Sequence, residues 1–344
     1  MDPTGPPVQE HPWRALLAAA IRAPSPHNVQ PWRIHVLGPD QADLLIEKHR
    51  TLPAEDVEGS FIILTMGMFV ETLRIVAAHH GLALDDTPVA DLGDYTAARL
   101  AQRSETNIPF ARLRLRPDAA ARPTHDLALL EQRRTSRLPY RTDPVAPADA
   151  RALEECATQW GHRYRPVTDP AQIERILAWN VDAVFEDLNH PPYRDELRSW
   201  LRYSDAQSSR ERDGLDARCM NTPPLELWLA FHASWLLTLP FTRPVFARRY
   251  RRQIGPVTTL GMLDGPFWEP RDAYGTGRFL IHFWLEVTRL GYVIHPYGNL
   301  VTNRPTAARV AHETGLDRIW LVFKIGRSSE PPLSHRRSID EVLL

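Results

Sequence analysis

Two long apolar segments of the chain share one pattern of glycines and apolar positions. They are TMGMFVETLRIVAAHHGL at 65–82 and GTGRFLIHFWLEVTRLGY at 275–292. In each segment a first glycine, Gly67 or Gly277, stands 14 residues before a second, Gly81 or Gly291. Each segment predicts a long, central helix that ends at a glycine in the left-handed conformation. The shared pattern indicates an internal duplication, although two unrelated helices can share it by chance.

Shorter apolar runs on either side of these helices predict strands. WRIHVL at 32–37 precedes the first helix, and RIWLVFKIG at 318–326 follows the second. Helical segments outnumber strands in this pattern, which favours an α+β fold with mixed or antiparallel sheets. The proline- and arginine-rich stretch at 112–125 is the predicted seam between two halves.

The longest apolar run extends from Leu225 to Phe241 and contains Glu226 and His232. It is shorter than the roughly 20 apolar residues that span a bilayer, so we expect no transmembrane helix here. Its large apolar residues recur at helical spacing: Trp228, Phe231, Trp235 and Leu239. Such a stripe is typical of a buried or lid helix. A partner-binding or membrane-surface helix, extended by the basic run at 247–252, is the alternative.

Composition narrows the class of protein. The chain has 344 residues, which suggests two domains or two structural halves. A net charge of -1 gives no electrostatic reason to expect nucleic acid or an anionic membrane as a partner. Two cysteines, Cys156 and Cys219, are too few for a disulfide framework. The first ten residues lack the basic and apolar regions of a secretory signal, so we expect a cytoplasmic location.

The motifs of several common enzyme classes are missing from the sequence. No G-x-G-x-x-G, Walker loop or G-x-S-x-G elbow occurs. His312 and Glu313 begin like a zinc-protease helix, but Leu316 stands where the second histidine is required. We therefore predict no metal site, and the sequence identifies no catalytic acid, base or nucleophile.

One unusual phrase, IRAPSPHNVQPW at 21–32, follows an alanine-rich helical run. Pro24 and Pro26 must end that helix and stiffen the chain. Ser25, Asn28 and Gln30 then present short polar groups on a rigid loop. An ordinary helix end followed by a proline-rich turn is the alternative interpretation.

Arginines form the second candidate site. EQRRTSRLPYRTDPV at 131–145 places four arginines around Thr135 and Ser136, and SHRRSIDEVLL at 334–344 adds a basic pair near the end. Guanidinium groups beside hydroxyls bind phosphate through bidentate, charge-assisted hydrogen bonds. A solvated basic surface patch is the alternative.

Together these segments resemble the FMN-dependent nitroreductase superfamily. RAPSPHNVQPWRIHVL resembles its A-P-S-x-x-N-x-Q-P-W segment, and RRTSR resembles its R-R-S-x-R phosphate-binding opening. IGRSSEPPLSHRRSIDEVLL is similar to the ending of the same family. The resemblance covers most of the chain, but residues 190–265 have no counterpart in it.

The order of the motifs is reversed relative to an ordinary family member, in which the arginine-serine motif comes first. Each half of this chain lacks the motif that the other half keeps. The chain thus resembles the long, single-chain, Acg-like branch, in which two nitroreductase-like halves form an internal pseudo-dimer with one intact and one decayed flavin site. The implied halves are 1–120 and 121–344, with a lid-like insertion around 190–265.

The resemblance implies a set of FMN-binding residues. It places the loop around Ser25 against the flavin, the 133–137 segment and the late arginines around the phosphate, and the HPYGN turn at 295–299 facing the flavin ring. The full set is Pro24, Ser25, Pro26, Asn28, Gln30, Arg133, Arg134, Thr135, Arg137, Pro296, Tyr297, Gly298, Arg336 and Arg337.

The implied function is an FMN-dependent oxidoreductase that passes electrons from NAD(P)H to a nitroaromatic or quinone-like acceptor. Alternatives are a non-catalytic protein that sequesters FMN under a closed lid, and an FMN-dependent oxidase or dehydrogenase of a biosynthetic substrate. We expect a small-molecule substrate, no nucleic-acid or membrane partner, and a monomeric pseudo-dimer or a weak homodimer.

Overall fold

A computed structural model describes residues 12–233, 235, 239 and 241–344. The prediction about a secretory signal falls on residues 1–10, which lie outside the described residues. The strands are β1 (Trp32–Val36), β2 (Gln41–Glu47), β3 (Leu82–Pro88), β4 (Asn107–Pro117), β5 (Arg163–Val167), β6 (Leu201–Arg202), β7 (Leu215–Asp216), β8 (Leu260–Asp264), β9 (Val293–Pro296) and β10 (Ile319–Gly326).

Helices make up most of the remaining structure. They are α1 (Pro12–Ala20), α2 (Ser60–His79), α3 (Ala97–Gln102), α4 (Leu127–Gln132), α5 (Pro147–Gln159), α6 (Pro170–Asn189), α7 (Pro191–Ser199), α8 (Asp205–Glu211), α9 (Pro224–His232), α10 (Arg243–Ile254), α11 (Pro270–Arg289), α12 (Asn299–Thr302), α13 (Arg304–Thr314) and α14 (Ile339–Val342). The predicted α+β class is confirmed.

The two main sheets have the same topology. One has the strand order β1-β2-β4-β3, the other β5-β8-β10-β9, and each has four strands. All neighbouring strands within both sheets are antiparallel. In each sheet one long central helix, α2 or α11, lies between the second and third strands in chain order. The duplication suggested by the glycine spacing is therefore present in the fold.

The central helices α2 and α11 pack directly on each other at their repeated glycines. A methyl group on Gly277 would lie 2.1 Å from the carbonyl oxygen of Leu64, and one on Gly67 would lie 2.3 Å from that of Tyr274. Only glycine permits so close an approach of two helix backbones. The predicted caps are confirmed, because Gly81 and Gly291 have φ of 66° and 76°.

Helix α2 is long and apolar enough to cross a membrane by length and composition alone. However, 83% of its most apolar stretch is buried inside the protein. Its side chains pack in the main hydrophobic core with those of α11 and both sheets. This burial is that of a central core helix.

The predicted seam at 112–125 starts too early. Residues 112–117 form the end of β4, where Leu113 and Leu115 are buried and the alternating arginines are not. Such two-residue alternation is the pattern of a strand with one face on the core. The connection between the two sheets thus begins after Pro117, and the domain limits at 120 and 121 remain a prediction.

An insertion separates β5 from β8, and its described residues form the helices α6 to α10 and the short parallel pair β6–β7. The predicted insertion limit of 265 is too late, because residues 260–264 form β8 inside the second sheet. Of the predicted apolar stripe, Phe231 is buried, whereas Trp228 and Trp235 are 44% and 62% exposed. Helix α9 ends at His232, and residues 234, 236–238 and 240 of that run lie outside the described part.

Candidate functional site

The loop between α1 and β1 has an unusual backbone. His27, Asn28 and Gln30 have positive φ values of 47°, 56° and 51°. This left-handed conformation is unfavourable for residues other than glycine, and it occurs most often where a functional site holds the chain in place. The Ser25 hydroxyl accepts a hydrogen bond from the Gln30 amide at 3.0 Å, which closes the loop on itself.

The C-terminal tail lies directly on this loop. Arg336 donates to the Asn28 side-chain oxygen at 2.7 Å, and the Arg337 amide donates to the Gln30 side-chain oxygen at 2.9 Å. The amide groups of Asn28 and Gln30 also donate to the carbonyls of Gly214 and Arg212 in the insertion. The two amide side chains therefore hold the loop, the tail and the insertion together, and their contact with a cofactor stays a prediction.

The two late arginines have different surroundings. Arg337 forms an ion pair with Glu47 at 2.8 Å and bonds the carbonyls of Gln30 and Glu341. Arg336 instead faces Arg22 and Arg133, whose charges, after burial itself, lower its pKa well below the usual arginine range. Arg336, rather than Arg337, therefore lies close to Arg22 and Arg133.

Arg22, Arg133 and Arg336 form an arginine cluster, in which Arg133 is buried and the other two are half-buried. Arg133 is 4% exposed, donates to the carbonyl of Arg22 at 3.0 Å and lies 4.7 Å above the Trp284 ring. Burial, and then the charge of Arg22, lowers the pKa of Arg133. Among residues 12–233, 235, 239 and 241–344, none of the three forms an ion pair with a carboxylate. The alternative of a solvated surface patch is wrong for Arg133.

Unpaired hydrogen-bond donors accompany this excess of positive charge. The Nε atoms of Arg133 and Arg336 are buried without a hydrogen-bond partner within the described structure. A buried donor without an acceptor destabilises a protein by about 1–3 kcal/mol. An anion with several oxygens would neutralise the cluster and accept from both donors. The arginine cluster therefore fits a phosphate group.

The remaining residues of the 133–137 segment point in different directions. Arg134 forms an ion pair with Glu330 at 2.7 Å, and Thr135 forms a parallel bridge with Ile294 beside β9. Arg137 donates to the Cys219 carbonyl at 3.2 Å and acts electrostatically on His27 and His295. The segment thus lies along the site from the arginine cluster toward the HPYGN turn.

The turn after β9 lies against the first half of the chain. Tyr297 is buried with its hydroxyl unpartnered in the described structure, and its amide donates to the Val322 carbonyl at 2.8 Å. A methyl group on Gly298 would lie 4.0 Å from the Glu55 carboxyl. Pro296 ends β9 and starts this turn.

Sequence reasoning missed three residues of the site: Arg22, His27 and Glu55. His27 Nε2 lies 2.5 Å from Glu55 Oε2. Burial, and secondarily Glu196, Asp187 and Asp56, raises the pKa of Glu55 to about 8. His27 lies within the segment at 21–32 that the sequence singled out, so its position in that segment could have indicated a place in the site. Glu55 lies in an acidic stretch that reads as solvated, and nothing in its local pattern indicates burial.

The insertion closes over the loop. The Gly214 amide donates to the Asn28 carbonyl at 3.2 Å. The neighbouring Asp213 carboxylate is buried between Arg50 at 2.7 Å and Arg202 at 2.5 Å. These contacts attach the insertion to the loop, and its role as a lid stays a prediction.

We expect Asp213→Asn to loosen this attachment. An amide cannot neutralise two buried guanidinium groups, so local opening should become about 1–3 kcal/mol easier. The amides of Gly214 and Leu215 should then exchange hydrogen about one to two decades faster, as measured by hydrogen–deuterium exchange. Asp205→Asn is the control, since Asp205 is 78% exposed in its pair with Arg218. Equal exchange rates in both variants would show that the ion pairs of Asp213 do not hold the insertion on the loop.

The corresponding position in the second half has no such loop. Only residues 160–162 connect α5 to β5, whereas residues 21–31 connect α1 to β1. Here His162 stacks on Phe279 at 4.3 Å, and Trp160 stacks on His282 at 5.0 Å. Aromatic side chains therefore fill this position.

Comparison with known proteins identifies relatives of the chain. No protein-family model matches it. It is 29% identical over 213 residues to a putative NAD(P)H nitroreductase of Mycobacterium tuberculosis, covering 61% of this chain and 55% of that protein. An uncharacterized protein of the same organism is 29% identical over 186 residues, covering 53% and 50%. The chain thus matches about half the length of these curated relatives.

Two solved structures are also similar. One is the FMN-dependent nitroreductase NfnB from Mycobacterium smegmatis in complex with NADPH. Its sequence is 19% identical, the match covers 59% of this chain and 90% of that one, and the TM-score is 0.36. The other is a nitroreductase with bound FMN from Desulfitobacterium hafniense, at 12% identity, 63% and 95% coverage and a TM-score of 0.38.

The similarity to nitroreductases has two sources, the sequence motifs and a curated relative. The fold brings the A-P-S-x-x-N loop, the arginine segment and the tail together within one chain. One of the two curated relatives carries the name of a putative NAD(P)H nitroreductase. The chain is therefore similar in sequence to a putative nitroreductase, and its motifs resemble those of the nitroreductase superfamily.

Proposed function

We propose that the protein is an FMN-dependent oxidoreductase that takes reducing equivalents from NAD(P)H and passes them to a small aromatic or quinone-like acceptor. The observation that carries this proposal is the arginine cluster of Arg22, Arg133 and Arg336. Within the described structure none of the three forms an ion pair, although Glu131 lies close enough to act on Arg22, and the Nε donors of Arg133 and Arg336 lack an acceptor. A nucleotide phosphate supplies the missing charge and acceptors.

The chain's own residues would hold the cofactor along the site. Arg133 and Arg336 would bind the phosphate, with Arg22 adding charge beside them. The rigid loop at 24–26 and the turn at 296–298 would flank the flavin ring, with Arg137 between these two ends. When bound, FMN supplies the hydride-transfer chemistry. The absence of a conventional nucleophile or metal motif in the sequence agrees with a cofactor-based activity.

The proposal includes a fused arrangement with one flavin per chain. The loop around Ser25 belongs to the first half and Arg133 to the second, yet the Arg133 side chain bonds the Arg22 carbonyl of the same chain at 3.0 Å. A single chain therefore supplies both sides of the site. Aromatic packing at Trp160 and His162 leaves no equivalent loop for a second flavin.

The test is a titration of the purified protein with FMN and with riboflavin, followed by absorption and fluorescence. We expect saturation at about one FMN per chain and much weaker binding of riboflavin, which lacks the phosphate. Binding of two FMN molecules per chain would contradict the fused arrangement. Failure to bind FMN at all would contradict the flavin proposal.

A second function, storage of FMN under a closed cover, is favoured by one observation. The insertion is bonded to the loop through Gly214 and to Arg137 through Cys219. Anaerobic mixing of the FMN-loaded protein with NADH or NADPH separates the two functions. Bleaching of the flavin absorbance supports the oxidoreductase, and an unchanged spectrum with both donors supports storage.

A further inference from the structure

Glu55 lies where the two halves of the site meet. Its Oε2 atom is 2.5 Å from His27 in the first-half loop. Its Oε1 atom faces the second-half turn, since a methyl group on Gly298 would lie 4.0 Å from it. The main-chain amides of Ala54 and Glu55 donate to Glu196 at 2.7 and 2.9 Å, which fixes this segment. The carboxyl is thus held between two segments from opposite halves.

A cavity of about 520 Å³ opens beside the same carboxyl. Glu55 lines it together with Phe61, Trp268, Leu300 and Arg304, and Asp56, Glu58 and Asp317 belong to the same lining. The aromatic and aliphatic part of the wall, Phe61, Trp268 and Leu300, fits a face of a planar aromatic molecule. The cavity lies close to the turn at 296–298, because Leu300, which lines it, is in α12 two residues after Gly298. An acceptor in this cavity would reach the Glu55 carboxyl.

The charged groups around Glu55 favour its protonated form. Glu196 on α7, Asp187 on α6 and Asp56 in the same loop add negative charge, and burial acts in the same direction, so the pKa of Glu55 rises to about 8. On the other side, burial and the charge of Arg137 lower the pKa of His27. The carboxyl therefore keeps its proton at neutral pH and donates it to His27 Nε2.

We propose that Glu55 is the proton donor to a quinone bound in this cavity, an inference that rests on the proposed function. A quinone that receives a hydride becomes a hydroquinone anion and needs one proton to become the neutral hydroquinone. The O–H bond of Glu55 breaks, its electron pair remains on the carboxylate, and a new O–H bond forms on the quinone oxygen. Solvent returns a proton to Glu55 before the next turnover, and the reduced nicotinamide supplies the hydride, which carries both electrons.

Glu55→Gln tests this role because it keeps the shape of the side chain and removes its acid. We expect quinone reduction by the FMN-loaded variant to fall by about 10²-fold in kcat, the contribution of a positioned acid. The loss of wild-type rate as pH rises above about 8 should disappear. FMN affinity should stay unchanged. Glu186→Gln, which makes the same charge change on α6 away from His27 and Gly298, is the control.

Two further measurements do not depend on turnover. Carbon-13 NMR of labelled glutamate should show a carboxyl signal that titrates near pH 8 in the wild type and in Glu186→Gln. This signal should be missing from the spectrum of Glu55→Gln. Because the folded pKa of Glu55 is raised, the folded state binds its proton more tightly than the unfolded state between the ordinary glutamate value and pH 8. Wild-type stability should therefore fall across this window, and less so in Glu55→Gln.

The outcomes separate this inference from the proposed function. If FMN binds and is bleached, but Glu55→Gln keeps the wild-type kcat and pH profile, Glu55 is not the proton donor. If the wild type does not bind FMN, the proposed function fails and the inference fails with it. Glu55→Leu provides a second variant should the glutamine form misfold: it also removes the acid, and a kcat equal to that of the wild type would also overturn the inference.

Discussion

Replacing Arg133 and Arg336 together with alanine is expected to weaken FMN binding by about two to four decades. Each arginine would lose charge-assisted hydrogen bonds worth roughly 1.5–3 kcal/mol, and each 1.4 kcal/mol is a factor of ten in affinity. Riboflavin has no phosphate, so its affinity should change little. Equilibrium titration of the variant with both ligands measures the difference.

The same double variant should relieve charge repulsion in the ligand-free protein, which offsets part of the stability lost with the hydrogen bonds to the Arg22 carbonyl and the Asn28 side chain. Arg133 is buried and Arg336 half-buried near Arg22, and the charges of Arg22 and Arg133 disfavour the charged form of Arg336. Removing two like charges from this cluster lowers this repulsion. Arg141→Ala is the control, because Arg141 is 68% exposed in its pair with Asp143. Equal weakening of FMN and riboflavin would show that the cluster does not bind the phosphate.

The loss of FMN affinity and the relief of charge repulsion follow from one property of the site. A charge cluster that serves the fold alone is usually paired with carboxylates, as Asp213 is with Arg50 and Arg202. Arg133 and Arg336 lack such partners among the described residues, so they destabilise the empty protein and bind an anion. Improved binding at the expense of stability is typical of functional sites.

Much of the central architecture could be predicted from the sequence. The matched glycines at 67 and 277 marked the two core helices, and their structural reason is the close backbone contact at those positions. The predicted strands at 32–37 and 318–326 correspond to β1 and β10. Both signals are local patterns with strong steric or hydrophobic causes, and such patterns can be recognised from a single sequence.

Strand β4 was harder to recognise from its composition. Its last residues alternate arginine with leucine, and the nearby prolines made the stretch look like a linker. In the fold, Arg112 and Arg116 pair with Asp43 and Asp85 on the neighbouring strands. The alternation of buried leucines was the stronger signal, because two-residue periodicity follows directly from strand geometry.

The candidate site was predictable only where one segment carried its own motif. The loop around Ser25 and the arginines at 133–137 stood out because of their residue types. Their roles did not, since the tail determines that Arg336 faces the cluster while Arg337 pairs with Glu47. Glu55 was missed because its environment comes from α6, α7 and the first loop, which only the tertiary fold brings together.

Gly277→Ala is expected to destabilise the protein by about 3 kcal/mol or more. The added methyl group would lie 2.1 Å from the Leu64 carbonyl oxygen and 3.0 Å from the Met68 amide nitrogen. Both atoms are backbone of α2, so no side-chain rotation can relieve the contact and the two central helices must move apart. Overpacking in a dense core destabilises by about 1–3 kcal/mol, and more when backbone must shift. Urea unfolding measured by circular dichroism gives the change.

Gly275→Ala is the matched control on the same helix. A methyl group there meets no atom within 4 Å, so the only effect is the greater helix propensity of alanine. That propensity should stabilise α11 by up to about 1 kcal/mol, which is the opposite sign to Gly277→Ala. Because Gly67 and Gly277 meet at one crossing, Gly67→Ala should destabilise like Gly277→Ala, and the two losses should not add. If Gly277→Ala were as stable as Gly275→Ala, the close contact of α2 and α11 would not be the basis on which the two halves pack.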